Sequence, residues 1–201
     1  MTTPDPTRLA DTAVPVHPLV AARWSPRALD PTATLDDTTL TALLEAARWA
    51  SSWGGSQPAR FIVGRRGDET FDGLVSTLSR GNRSWAPRAS ALVLGVTRVR
   101  DGEKVLTHSA FDLGQAVAQL TLQAVSEGLV THPMAGFDAE AARARFGVPE
   151  DFAPLVLVAV GSLADPSTVE PELAAKEQKP RARRALAEVA FAGTWGAPVL
   201  G

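Results

Sequence analysis

Three short apolar segments, separated by longer amphipathic ones, constrain the fold of this sequence more than any other feature. They read RFIVGRR from residue 60, ASALVLGVT from residue 89 and APLVLVAVGS from residue 153. The second and third are apolar almost throughout, which is typical of strands covered on both faces. Because such strands alternate with helical patterns, we expect one sheet in an α/β or α+β protein.

The amphipathic segments between these strands predict helices. One begins near Asp36 or Asp37, either of which can cap it, and carries an apolar stripe. The longest spans residues 109–127, with Gly128 as a plausible stop. A shorter one is capped by Asp138 and closed by Gly147. The stripe residues of the first helix are Leu40, Leu43, Leu44 and Ala47, and those of the longest are Leu113, Ala116, Val117, Leu120 and Ala124.

A length of 201 residues suits one domain with short arms. Residues 1–15 are rich in Pro, Thr and Asp, and we expect them to form an irregular N-terminal arm. Residues 16–201 then form a single domain that ends in an apolar tail. This tail contains Val189, Phe191, Trp195 and Val199. Such a tail needs a surface to cover, and a partner subunit would supply one.

Composition excludes several classes of function. The net charge of −2 offers no basic field for nucleic acid or a membrane surface. The absence of cysteine excludes disulfides and thiolate chemistry, and it fits a reducing compartment. The N-terminus has no apolar signal region, and a stripe of Gln and Glu interrupts the most apolar long segment. We therefore expect a cytoplasmic protein with no nucleic-acid or membrane partner.

The familiar catalytic motifs are missing. No glycine-rich dinucleotide fingerprint follows a strand, and there is no P-loop. His17, His108 and His132 are not spaced as metal ligands, and no GxSxG elbow supports a Ser–His–Asp triad. We predict no metal site and no catalytic side chain.

The segment ARWSPR suggests an anion site instead. If it is locally extended, Arg23, Ser25 and Arg27 lie on the same side and can converge. Arg181 and Arg183 repeat the same two-residue spacing near the other end of the chain. A guanidinium suits phosphate because its planar fork donates two parallel hydrogen bonds. Each cluster alone is equally compatible with solvated surface charge.

From about Ala22 to Trp195 the chain resembles the nitroreductase family of flavin enzymes. Six motifs occur in the family's order: ARWSPR, RWASSWGGSQPARFIV, an asparagine after the next helix, DLG, GFD and a late basic pair. The resemblance implies an α+β fold, in which helices wrap a central mixed β-sheet. It also implies an interlocked homodimer whose C-terminal tail reaches the partner subunit, with two FMN molecules bound at the interface. The implied reaction is ping-pong transfer from NAD(P)H, through flavin N5, to a nitroaromatic, quinone or related small acceptor.

The resemblance also implies cofactor-binding residues. Asn82 matches a residue that bonds the pyrimidine edge of the flavin. The backbone of Pro133, Met134, Ala135 and Gly136 matches a segment that runs past flavin N5 and O4. The residues that match the FMN phosphate and ribityl site are Arg23, Trp24, Ser25 and Arg27 in the first motif and Arg181 and Arg183 in the last. Asp112 of the DLG motif has a structural rather than a catalytic role.

Three departures from the family pattern keep alternatives open. Gly55 and Ala59 replace the usual asparagine and tryptophan around the QP pair. Trp85 stands where many members have a lysine facing flavin N1 and O2, so that cation is Arg83, Arg88 or none. There is also no tyrosine to donate a proton. The alternatives are a flavin-binding protein with little reductase activity and a flavin oxidoreductase with a narrow biosynthetic role.

Overall fold

The computed structural model describes residues 8–200. Residues 1–7 of the predicted arm lie outside the described residues. The longer elements are separated by short 3₁₀ turns and loops. In chain order they are α1 (Pro18–Ala22), α2 (Asp37–Arg48), β1 (Ala59–Arg65), α3 (Glu69–Thr77), α4 (Arg80–Arg83), β2 (Ala91–Arg98), β3 (Arg100–Asp101), β4 (Lys104–Val105), α5 (Ser109–Ser126), β5 (Val130–Met134), α6 (Ala139–Phe146), β6 (Phe152–Gly161) and α7 (Pro171–Glu177).

The main sheet contains four strands in the order β1-β2-β6-β5. The α+β class is confirmed. The expected mixed sheet is not found within residues 8–200, because each neighbouring pair of strands is antiparallel. Parallel neighbours need a crossover that returns the chain to the end where the first strand began, and no connection between neighbours in this sheet does so. β3 and β4 form a separate small hairpin.

The sheet is covered on both faces, as its apolar strands predict. In β2, Leu92 and Leu94 pack with α3 and α6 on one face. Val93 faces α2 and α5 on the other. In β6, Leu157 and Val158 divide in the same way. This alternation arises because successive side chains of a strand point to opposite faces.

Local signals set the boundaries of the main helices. Asp36 caps α2 by accepting a 2.7 Å hydrogen bond from the Thr39 amide. Asp138 caps α6 in the same way, and Gly147, in the left-handed conformation, closes it. All five predicted stripe residues of α5 are buried. Gly64 lets α3 approach β1, since a Cβ there would lie 2.3 Å from the Phe71 amide nitrogen.

β5 has no counterpart among the sequence predictions. Pro133 lies inside it, and proline cannot donate a hydrogen bond to a neighbouring strand. β5 forms the edge of the sheet, where one side of the strand has no neighbour to receive that bond. A proline is therefore tolerated, and pairing with β6 turns a segment with weak strand signals into a strand.

The C-terminal tail folds back on itself. Phe191 pairs with Pro198 across a short bridge, and the rings of Phe191 and Trp195 lie 4.9 Å apart. These contacts leave most of the apolar surface uncovered. Trp195 is 92% exposed, and Val189 and Val199 are also exposed.

Candidate functional site

The loop after α1 carries the first predicted binding motif. Its backbone leaves the helix at Arg23 in an extended conformation. Arg23 donates a 3.1 Å hydrogen bond from Nη1 to the hydroxyl oxygen of Ser25. Trp24 lines a cavity of about 480 Å³ that Arg23 does not line, and the guanidinium of Arg8 lies over its ring. Neighbouring side chains of the motif therefore face different surroundings, as an extended segment requires.

Arg23 meets the late basic pair in a small cavity of about 240 Å³, which Arg181 and Arg183 also line. Burial, and then the charge of Arg183, lowers the pKa of Arg23. Burial followed by the charges of Arg23, Arg183 and Arg8 lowers the pKa of Arg181. Among residues 8–200 no carboxylate forms a salt bridge with these three guanidiniums, although Asp11 lines the same cavity. A bound anion would relieve their mutual repulsion.

Arg181 is already engaged by the backbone. Its Nη1 donates to the carbonyl oxygens of Arg8 and Ala21, the latter at 3.0 Å. Its Nη2 donates to the carbonyl oxygen of Arg23 at 2.8 Å. Arg181 thereby ties the tail to α1 and to the start of the binding loop. Among residues 8–200, Arg183 makes a single local hydrogen bond, to the Ala182 carbonyl, and its other donors have no partner there.

Arg27 and Asn82 line a second, larger cavity of about 560 Å³. Trp85, Arg88 and Lys176 of α7 line the same cavity. Thus the structure does not place all four predicted phosphate arginines in one cavity. Arg27 lies beside Asn82, whereas Arg23, Arg181 and Arg183 converge elsewhere.

Asn82 is joined to the predicted backbone segment after β5. Its Nδ2 donates a 3.0 Å hydrogen bond to the carbonyl oxygen of Gly136. A Cβ at Gly136 would lie 2.7 Å from that nitrogen and 2.8 Å from the Ser79 hydroxyl oxygen, so only glycine fits without a shift. Within the same segment Met134 is buried in the core, whereas Ala135 is exposed. Two sets of predicted residues therefore meet here.

Helix α7 separates the larger cavity from the one beside Trp24. Leu173 and Lys176 line the first, whereas Ala174 and Glu177 line the second. The Oε1 of Glu177 accepts a 3.0 Å hydrogen bond from the backbone amide of Arg27. Burial raises the pKa of this carboxyl group. Glu177 had no role in the sequence predictions, because nothing in the sequence indicates that it contacts a residue 150 positions away.

Comparison with known proteins identifies the family. A sequence profile described as the nitroreductase family matches residues 20–89 and 72–162, which together cover more than half of the chain.

This chain belongs to the nitroreductase family.

Other comparisons agree with this assignment. An uncharacterised 15.4 kDa protein of Mycolicibacterium smegmatis is 48% identical over 148 residues, which are 70% of this chain and 99% of that protein. A crystal structure of an oxidoreductase containing FMN superposes with a TM-score of 0.86 at 33% identity, covering 93% of this chain and 96% of the other. A structure from Exiguobacterium sibiricum in complex with FMN superposes with a TM-score of 0.72 at 22% identity, covering 90% and 98%. This last likeness supports the fold alone.

The departures from the nitroreductase pattern have clear structural settings. Trp85 is 4% exposed and belongs to the core. Its indole ring carries no charge, so it does not replace the usual lysine as a cation. Gly55 lies in a 3₁₀ turn with φ of 69°, and Ala59 begins β1. Asp112 is 3% exposed and accepts hydrogen bonds from the Trp53 amide at 3.1 and 3.2 Å, which fits a structural role for the DLG motif.

No group of three or more His, Cys, Asp or Glu side chains between residues 8 and 200 is arranged to hold a metal ion. Within that same range no helix has both the length and the apolar character needed to cross a bilayer.

Proposed function

We propose that this nitroreductase-family protein is an FMN-dependent oxidoreductase. It passes electrons from NAD(P)H to a small acceptor, such as a nitroaromatic or a quinone, in a ping-pong cycle. The observation that carries the proposal is the convergence of Arg23, Arg181 and Arg183 without a carboxylate partner among the described residues. A dianionic phosphate is the natural complement of such a cluster. We also propose a cytoplasmic location.

The residues of this chain fit the phosphate end of FMN. Arg23 and Arg183 supply guanidinium donors, and the Ser25 hydroxyl already lies within hydrogen-bond distance of Arg23. Arg181 holds the loop against the tail through backbone carbonyls, so it contributes charge and position more than free donors. Trp24 faces away, which makes it a support for the loop rather than a direct contact.

The larger cavity fits the ring end of the cofactor. Its volume of about 560 Å³ lies within the usual range for ligand pockets, about 300–1,000 Å³. Asn82 offers an amide there, and Gly136 permits a close approach of the backbone after β5. We propose that Asn82 and the backbone of Pro133, Met134, Ala135 and Gly136 orient the ring.

FMN, when bound, supplies the electron-carrying group that no side chain of this chain offers. The protein's own residues then bind and orient the flavin and exclude water from it. The sequence contains no cysteine and no tyrosine, so neither a thiolate nor a phenol takes part. His132 is engaged with a backbone carbonyl, and we assign no side chain the role of an indispensable acid.

We also propose that the functional unit is a homodimer. A groove of about 510 Å³ runs between α2, α5 and β1, and its lining includes Leu44, Phe61 and Ala116. Phe111 of α5 is 68% exposed. The uncovered apolar tail provides a second such surface. Burying the groove and the tail against a second copy of the chain would remove both apolar surfaces from water. We propose that the tail of each subunit reaches its partner in this way.

A second candidate function is flavin binding with little reductase activity. The burial of Trp85 favours it, since no cation occupies the position that faces flavin N1 and O2 in many members of the family. Of the two arginines that could supply that charge in place of the lysine, Arg88 lines the larger cavity, whereas Arg83 donates to the carbonyls of Ser76 and Leu78.

Anaerobic reduction of the purified protein tests the proposal. We expect a yellow protein that releases FMN on denaturation, and bleaching by NADH or NADPH that a nitroaromatic or quinone reverses. A yellow protein that neither nucleotide bleaches supports the second candidate. A colourless protein that does not bind added FMN would refute both. Arg23→Ala should weaken FMN binding about ten- to hundredfold and riboflavin binding far less, because a charged hydrogen bond is worth about 1.5–3 kcal/mol.

A further inference from the structure

His132 contacts both the loop that carries the predicted arginines and the buried ring of Trp85. It lies on β5, directly before the segment from Pro133 to Gly136. Its Nδ1 lies 2.9 Å from the carbonyl oxygen of Pro26, in the loop that carries Ser25 and Arg27. Its ring also lies against Trp85, with centroids 4.6 Å apart and a tilt of 40°. The ring is thus enclosed between the arginine loop and the segment that follows Asn82.

The chemistry of Pro26 determines the state of this histidine. A carbonyl oxygen can only accept, so Nδ1 must carry the proton. Burial lowers the pKa of His132 and the charges of Arg27 and Arg23 lower it further, whereas the hydrogen bond to the Pro26 carbonyl raises it. The ring is therefore neutral near pH 7, and it donates from Nδ1.

The same contact restrains the loop. Pro26 is buried and has no amide hydrogen, so its carbonyl is the one polar backbone group that can attach it to the rest of the fold. On either side of it, Ser25 accepts from Arg23 and the Arg27 amide donates to Glu177. Without the histidine, this buried carbonyl would lose its partner, and the loop would lose its attachment to β5.

We propose that His132 is a positioning residue, which fixes the segment from Ser25 to Arg27 against β5 by donating from Nδ1 to the Pro26 carbonyl. The inference rests on the proposed function, since it assigns the Ser25 end of the fixed loop, which contacts Arg23, to the phosphate of FMN, whereas Arg27 at the other end lines the larger cavity. In this role His132 touches the loop and neither supplies nor removes a proton during turnover.

Two substitutions separate the hydrogen bond from the ring. His132→Asn keeps a donor near the position of Nδ1 but removes the ring that lies on Trp85. His132→Phe keeps a ring but removes the donor. We expect His132→Phe to weaken FMN binding about two- to tenfold, the value of one ordinary hydrogen bond, and to weaken riboflavin binding less. His132→Asn should restore FMN affinity to within about threefold of the natural protein.

A measurement without flavin makes the inference independent of the proposed function. Amide hydrogen exchange across residues 23–29 of the flavin-free protein should accelerate in His132→Phe and not in His132→Asn. The exposed His108, changed to Phe or Asn, serves as the matched control and should alter neither exchange nor binding. If the natural protein fails to bind FMN but the exchange pattern holds, the proposed function fails and the positioning role stands.

Other results would overturn the inference. Equal losses for FMN and riboflavin in His132→Phe would mean that the residue supports packing in general. Unchanged exchange in His132→Phe would mean that the Pro26 contact does not restrain the loop. A larger defect in His132→Asn than in His132→Phe would assign the effect to the ring on Trp85.

Discussion

Replacement of Arg181 by alanine should chiefly lower the free energy of unfolding. It should reduce the preference for FMN over riboflavin to a lesser extent. The guanidinium donates to three backbone carbonyls, those of Arg8, Ala21 and Arg23. These bonds join the tail to α1 and the binding loop, which are about 160 residues away in sequence. Arg183, two positions later, lines the same cavity and makes no such long-range bond within the described part of the chain.

The magnitude follows from these contacts. A hydrogen bond from a charged donor contributes about 1.5–3 kcal/mol when it is shielded from water. Arg181 is partly exposed, so water competes for its donors and the three bonds together contribute about 2–4 kcal/mol. Removing one of several clustered positive charges relieves some repulsion. We therefore expect a net loss of about 2 kcal/mol, which lowers the melting temperature by about 4–8 °C in a chain of this size.

Thermal unfolding of the flavin-free protein at a fixed concentration measures this loss without the stabilisation that a bound ligand adds. Arg183→Ala should melt close to the natural protein but discriminate less between FMN and riboflavin. Arg184→Ala is the matched control, because its 3.5 Å ion pair with Glu188 is exposed. The reasoning is refuted if Arg181→Ala melts like the control and loses FMN selectivity as fully as Arg183→Ala.

Three further predictions concern the ring end, the tail and pH. Gly136→Ala should weaken the binding of FMN and of riboflavin alike, because its Cβ displaces Asn82; titration of flavin fluorescence measures both affinities. Truncation after Arg184 should reduce flavin retention and yield monomers by light scattering, and a flavin-loaded dimer would contradict this. Because the folded-state pKa of His132 is lowered below about 6.5, the unfolded chain binds more protons as pH falls beneath that value. The free energy of unfolding should therefore decline below about pH 6.5, and it should decline less in His132→Asn. Denaturant titration of both proteins measures this difference.

Elements with strong local signals were predictable. The apolar runs of β2 and β6, the Asp36 and Asp138 caps and the apolar stripe of α5 depend on residues close in sequence, and the structure confirms them. β5 was not predictable, because its short segment contains a proline and becomes a strand through pairing with β6. The prediction of a mixed sheet was wrong for residues 8–200. Whether two strands pair parallel or antiparallel depends on how segments distant in sequence meet.

The sequence by itself determined which chemical groups are present: two closely spaced arginine pairs, an asparagine and a glycine-containing turn, and no cysteine or tyrosine. Only the tertiary structure decided which of them meet. It brought Arg181 to the backbone of Arg23, placed Arg27 in a different cavity, and set His132 against Pro26, 106 residues away. The physical reason is that caps and periodicity act within a few residues, whereas these contacts form where the packed sheet brings distant loops together.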